Sequence, residues 1–253
     1  MARALAGMAH KPYIFTKCGL VPSGEPDGGT REDLRPASLV AECEASLRRL
    51  RVEAIDLYQI HWPTDEIGDI DGAWEAITGL VRAGKIRYGG VSNFSVEELQ
   101  RAERVAPVAT LQPPYSPVKR EIAATLWPYC RERGIGVIVY SPMQSGLLTG
   151  AMTAERARNL PASDWRSRNP EFAEPRLSAN LALIERLRAV GARYGRSPGE
   201  VAIAWTLRDP VVSGAIVGAR TAGQVDGTIG AASLHLSADD LREIDAGVPS
   251  PPE

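Results

Sequence analysis

Lys17, His61, the pair Ser92-Asn93, Gln112, the pair Tyr140-Ser141, and Gly218 with Arg220 share one property. Each stands where a short apolar run gives way to polar or functional groups. Taken alone, each has an ordinary reading. A lysine at a strand end is often solvated and inert, and a histidine between Ile60 and Trp62 can be a satisfied core residue. An aromatic such as Tyr140 is often plain core, and Ser145 to Leu148 (SGLL) also reads as a simple glycine turn. In series they say more. In a (β/α)₈ barrel the C-terminal ends of the strands form one face, and active sites sit there. None of these strand ends is Asp or Glu, which removes the paired carboxylates of glycosidase chemistry. Cys18, Cys43 and Cys130 are far apart and form no C-x-x-C pair, so neither a zinc site nor a disulfide framework is expected, and the thiols read as reduced.

The elements that must carry these groups alternate strand and helix. Pro12–Cys18, Ala54–Ile60, Ile86–Val91, Val108–Leu111, Ile135–Tyr140 and Val211–Val217 read as strands. Between them Ser38–Leu50, Ala73–Val81, a segment from Ser95 and Glu121–Arg133 carry helical spacing. Ser95 with Glu98 has the spacing of a capping box, and Gly134 follows its helix as a left-handed cap would. Thr149–Pro175 is rich in Arg, Asn and Pro and reads as a loop. Helices are expected over Leu177–Arg193 and over Pro198–Leu207, where Ser197 and Pro198 make a cap and first helical residue. Two more are expected, from about Ala222 and over Ala238–Ala246.

Such alternation implies a parallel sheet with helical crossovers. A G-x-G-x-x-G after an early strand would favour an open dinucleotide-binding sheet, and none is present, which favours the barrel. The 253 residues are 44% hydrophobic, enough for a sizeable core. A net charge of −2 gives no electrostatic case for nucleic acid or an anionic membrane as partner. No run reaches the ~20 apolar residues of a membrane span, and residues 1–10 carry no cleavage-type signal. A soluble, cytoplasmic protein is expected.

The stretches FTK, YQIHWP, GKIRYGGVSNF, QPPYSP, VYSPMQSGLLTG and IVGARTAGQ, in this order and spacing, resemble the aldo-keto reductase family. The resemblance covers nearly the whole chain, and GGVSNF with IHWP is specific when the two occur in order. It implies an α/β fold: a (β/α)₈ TIM barrel lacking roughly its first two β-strands and first helix, with six strands present. The whole of 1–253 would be a single domain, incomplete at its N-terminus.

It also implies NADP(H) as cofactor and a small carbonyl substrate. Lys17 and His61 match catalytic positions. Ser92, Asn93 and Gln112 match the side chains that hold the nicotinamide carboxamide, and Tyr140, within Tyr140-Ser141-Pro142, matches the ring that stacks on it. Ser145, Gly146, Leu147 and Leu148 would run along the pyrophosphate with backbone amides as donors. Gly218 leads into Arg220, whose planar fork would take the 2′-phosphate, and Gln224 matches an adenosine contact. Thr228 departs from the family, which usually has Asn there, so a weaker adenine contact or cofactor preference is expected.

Carbonyl reduction in this family is hydride transfer followed by protonation of the oxygen. A tyrosine of pKa ~10 serves as the acid when a neighbouring lysine lowers its pKa. The family's aspartate orients that lysine, and its histidine hydrogen-bonds the substrate oxygen. The aspartate and tyrosine match nothing in this sequence and are expected upstream of it. Tyr88 lies early in its strand, toward the wrong face, and Tyr115 in a proline-rich loop, so neither replaces the acid. Without it a loss of ~10²–10⁴-fold in rate is expected. A misplaced start or gene damage is the favoured explanation. The alternative is a short nicotinamide-nucleotide-binding sensor or interaction subunit, its open barrel edge covered by a homo-oligomer.

Overall fold

The computed structural model describes residues 2–24 and 28–248. They divide into two compact units, residues 1–113 with 125–137, and residues 114–124 with 138–253.

The first unit opens with α1 (Ala2–Leu5), β1 (Phe15–Cys18) and a hairpin of β2 (Leu20–Pro22) and β3 (Thr30–Glu32). It continues through α2 (Pro36–Leu50), β4 (Ile55–Ile60), α3 (Ile70–Arg82), β5 (Ile86–Ser92), α4 (Val96–Glu103) and β6 (Thr110–Gln112). Most of α5 (Ala123–Arg133) and the start of β7 (Gly136–Tyr140) belong to it as well. The sheet order is β1-β4-β5-β6-β7, every pair parallel. This is the order expected when each strand is joined to the next by a helical crossover. Local signals set the boundaries. Pro36 occupies the first turn of α2, Asp69 caps α3 through the Gly72 amide, and Ser95 and Glu98 form the expected reciprocal box on α4. Gly134, at φ 67°, ends α5 in the left-handed region. The hairpin of β2 and β3 was not among the expected strands; three residues each are too few for a period to show.

Register fixes which side chains share a face. Lys17 is opposite Gln59, Gln59 opposite Gly90, Gly90 opposite Thr110, and Ser92 opposite Gln112. Alternation along each strand therefore puts all six, and His61 two residues past Gln59, on one side of the sheet. The other side carries the helices, with Tyr58 donating its hydroxyl hydrogen to the Leu39 carbonyl of α2. The paired glycines of β5 serve both sides. A Cβ on Gly89 would lie 2.5 Å from Ile77 Cγ2 and 3.2 Å from Trp74 of α3, so the helix packs directly on the strand backbone. A Cβ on Gly90 would lie 2.2 Å from Thr110 Oγ1.

The second unit holds the end of β7, then α6 (Ala154–Arg158), α7 (Arg176–Tyr194), α8 (Pro198–Thr206), β8 (Val212–Ile216), α9 (Ala222–Ile229) and α10 (Ala238–Asp245). Strand β8 follows β7 in the sheet order, which completes the expected six-stranded α/β arrangement. Every residue of α8 is buried, and Ser197 and Glu200 close its capping box ahead of Pro198. Helix α9 buries none of its residues. The expected loop over Thr149–Pro175 is more ordered than its composition suggests. It contains α6 and two 3₁₀ turns, at Trp165–Arg168 and Pro170–Phe172. Thr153, Asp164 and Asn169 each cap one of these turns, a local signal that carries no hydrophobic period.

Candidate functional site

In the first unit the predicted polar residues are joined at the strand tips. The His61 amide donates to the Cys18 carbonyl at 3.0 Å, which sets the end of β4 against β1. Asn93 Nδ2 donates to the His61 carbonyl at 3.0 Å and to Ser92 Oγ at 3.1 Å. Ser92 Oγ donates to the Gln112 carbonyl at 2.7 Å. Asn93 reaches this position only because its backbone turns into the left-handed region, φ 63°, a conformation asparagine tolerates better than most residues. Gln112 Nε2 donates to Gln59 Oε1 at 2.8 Å, and Gln59 Nε2 donates to Thr110 Oγ1 at 3.2 Å. Gln59, 1% exposed, was not singled out from the sequence. Counting back two residues from His61 along β4 would have found it.

Lys17 and His61 stand on this same face. Burial lowers the Lys17 ammonium from its ordinary range. Burial, and then the charge of Lys17, lowers the His61 imidazole from its ordinary range and so favours the uncharged ring. The indole of Trp62 stacks beside it with centroids 6.2 Å apart. A half-buried cation beside an imidazole biased toward its uncharged form suits a carbonyl oxygen that gains negative charge during reaction. Tyr88 is on the same sheet side but four residues before Ser92, roughly 13 Å along the strand, and is 62% exposed. Distance along the strand, not side of the sheet, separates Tyr88 from the strand tips, in keeping with its early position in β5.

The second unit contains a cleft of about 710 Å³. Of the residues predicted there, Ser141, Pro142, Ser145, Gly146, Gly218, Arg220 and Gln224 line it. Tyr140 does not; it sits half-buried at the end of β7, where its carbonyl accepts from the Tyr115 amide. Leu147 and Leu148 are fully buried and turn into the core, so their side chains face no ligand. The turn before them is contorted, with Ser141, Gln144 and Ser145 at φ 56°, 46° and 54°, and Gly146 at 91°. Four left-handed residues in six, three of them not glycine, mark a backbone held for a purpose other than low energy. The Gly146 and Leu148 amides both donate to the Met143 carbonyl at 3.1 Å, so they are already used within the turn. The expected supply of backbone donors from this turn is reduced accordingly. Tyr115 is 2% exposed, its ring 5.1 Å from that of Trp205.

Arg220 enters the cleft just before α9, and its amide donates to Gln224 Oε1 at 2.6 Å. Two arginines the sequence reading passed over, Arg156 and Arg166, also line the cleft. Both come from the segment read as loop, where richness in arginine was the available signal. Asp164 holds Arg166 through a 2.6 Å ion pair, and hydrogen bonds from Arg166 bring the Asp164 carboxyl down to about 2. Three arginines, Arg166 among them ion-paired with Asp164 and Arg156 donating to the Ala151 carbonyl, therefore line the cleft together with Gly146, Gly223 and Gly227. Phosphate groups and a flat ring fit that donor set. Among the described residues no cluster of His, Cys, Asp or Glu could hold a metal. The three cysteines are free and buried, and burial pushes Cys43 and Cys130 up to about 11. No described helix is long and apolar enough to cross a membrane.

Comparison with known proteins supplies the remaining evidence. The model of the Aldo/keto reductase family matches residues 1–248. Aldo-keto reductase YhdN of Bacillus subtilis (strain 168) is 38% identical over 209 residues, 82% of this chain. The match spans 62% of the length of that Bacillus protein. Probable aldo-keto reductase 1 of Glycine max is 33% identical over 239 residues, covering 94% of this chain and 67% of that protein. A solved structure, the glycerol dehydrogenase from Gluconobacter oxydans, is similar with a TM-score of 0.92 and 38% identity, over 100% of this chain and 78% of that one.

Proposed function

This chain belongs to the aldo/keto reductase family, and from that premise we propose that it is an NADP(H)-dependent oxidoreductase acting on small aldehydes or ketones. The observation that carries the reading is the hydrogen-bonded set His61, Asn93, Ser92 and Gln112 at the strand tips, with Lys17 on the sheet face that holds Ser92 and Gln112. The cofactor, when bound, supplies the two electrons of carbonyl reduction. The chain's own residues do the rest. The amide and hydroxyl groups of Asn93, Ser92 and Gln112 orient a carboxamide-bearing ring. Neutral His61 hydrogen-bonds the carbonyl oxygen, and the Lys17 cation stabilises charge that develops there. Arg220, with Arg156 and Arg166, holds phosphate, and Arg220 confers the preference for NADP over NAD. Buried, unpaired thiols suit a reducing compartment, in keeping with a cytoplasmic protein.

In the family the proton comes from a tyrosine, and no tyrosine considered above stands in for it. The 253-residue polypeptide by itself should therefore oxidise NADPH slowly with a small aldehyde, ~10²–10⁴-fold below a relative with a positioned acid. Lys17→Met and His61→Ala should each lower the residual rate at least about tenfold. Wild-type turnover surviving both replacements would contradict this assignment. A second reading, nicotinamide-nucleotide binding without reduction, is favoured by the three arginines that line the cleft of the second unit. NADPH binding with no turnover at any aldehyde concentration would select it.

A further inference from the structure

Gln59 is a polar side chain where packing asks for none. It lies inside the apolar run of β4 and is 1% exposed, and a Cβ built on Gly90 of β5 would lie 3.2 Å from its Cγ. A leucine would fill that space without the cost of burying an amide. Both ends of the Gln59 amide are engaged within the protein. Its Nε2 donates to the Val91 carbonyl at 3.4 Å and to Thr110 Oγ1 at 3.2 Å, and its Oε1 accepts from Gln112 Nε2 at 2.8 Å. Direction matters here. A side-chain amide has one accepting and one donating end, and its neighbours decide which end faces where. A threonine hydroxyl can give or take a hydrogen bond, but the Val91 carbonyl can only accept. It therefore draws the Gln59 NH2 group toward itself and leaves Gln59 Oε1 toward Gln112. Gln112 must then turn its own NH2 group to Gln59. The end that remains is Gln112 Oε1, which meets no donor among the described residues.

We propose that Gln59 is a positioning residue that sets the polarity of the strand tips: through it Gln112 turns its accepting end to a ligand, so that a ring bearing a carboxamide is taken and the same ring bearing a carboxylate is rejected. The proposal rests on the cofactor reading above and adds to it a residue that touches no ligand. A carboxamide can rotate about its bond to the ring and offer an N–H to Gln112 Oε1 whichever way the ring enters. A carboxylate has no hydrogen to offer and sets its negative charge against an acceptor.

The test is calorimetric titration of the chain with two ligands, NADP+ and its analogue carrying a carboxylate in place of the carboxamide. The wild type should bind NADP+ at least about tenfold more tightly, the scale of one unmatched hydrogen-bonding group in a buried site. In Gln59→Leu the Gln112 amide loses its anchor and can turn over, so the preference should fall to about threefold or less. Gln59→Glu keeps an oxygen acceptor facing Gln112 and should preserve a preference of about tenfold or more. A purely structural role for Gln59 would weaken both ligands by one factor in Gln59→Leu and leave their ratio unchanged. That result overturns the proposal, as does a wild type without the preference or a Gln59→Glu chain that loses it. If Gln59→Leu does not fold, the wild type and Gln59→Glu decide. In all these outcomes NADP+ still binds the wild type and the cofactor reading stands. Failure of both ligands to bind the wild type removes that reading, and the proposal with it.

Discussion

Gly90 shows how much of the site depends on a side chain that is missing. The chain there runs so close to β6 that a methyl group would lie 2.2 Å from Thr110 Oγ1 and 3.0 Å from the Thr110 carbonyl. Thr110 Oγ1 accepts from Gln59, and Gln59 in turn accepts from Gln112. Gly90→Ala should therefore destabilise the fold by ~1–3 kcal/mol, the usual result of overpacking, and should also weaken NADPH binding. Urea denaturation and NADPH titration measure the two effects. A variant with unchanged stability and affinity would show that the close approach is not needed. At this scale the sequence was informative for residues at strand tips, because a polar group ending an apolar run stands out. It was silent on Gln59, which lies inside its run, and on Leu147 and Leu148, whose neighbours suggested a ligand loop while their own apolar nature put them in the core.

At the scale of elements, α2 is entered in an unusual way. Its capping position is Arg35, which offers no side-chain cap. The work falls to Asp33, 1% exposed, whose carboxylate accepts from the Arg35 amide at 3.2 Å and is gripped by the Arg35 guanidinium. Hydrogen bonds from the Arg35 side chain, ahead of the other influences, bring the Asp33 carboxyl down to about 2 from 3.8. A carboxyl depressed on folding adds stability above its unfolded pKa of ~3.9 and loses it as pH falls through the folded value. The melting temperature should thus fall between about pH 4 and pH 2 more steeply in the wild type than in Asp33→Asn, which should already melt lower at neutral pH. Parallel curves would refute the role given to Asp33. Sequence reading located α2 but began it at Ser38, two residues late, because the apolar period starts after the proline that opens the helix. Strands were found but overrun: Pro12–Cys18 shortens to Phe15–Cys18, since Pro12 and Tyr13 are apolar in type yet exposed and outside the ladder. The short turns of 154–172 were missed because they rest on single capping side chains rather than on a repeating pattern.

For the whole molecule, the order of the strands was legible because each crossover helix announces a parallel neighbour. The three-arginine cleft was only partly legible. Arg220 follows a strand end, whereas Arg156 and Arg166 come from a stretch whose path no period defines. The division into two compact units is marked in composition on one side only: Pro113 opens a proline-rich run that extends to Pro117, whereas Val137 lies inside β7.

In the proposed reading Arg220 holds the phosphate that distinguishes NADPH from NADH. Its most direct test is the pair of dissociation constants for these two ligands, measured calorimetrically on the wild type and on Arg220→Ala. The expected result is a preference for NADPH of at least about tenfold in the wild type that collapses to about twofold or less in the variant, with NADH affinity nearly unchanged. Equal losses for both ligands, or a preference that survives the substitution, would contradict it.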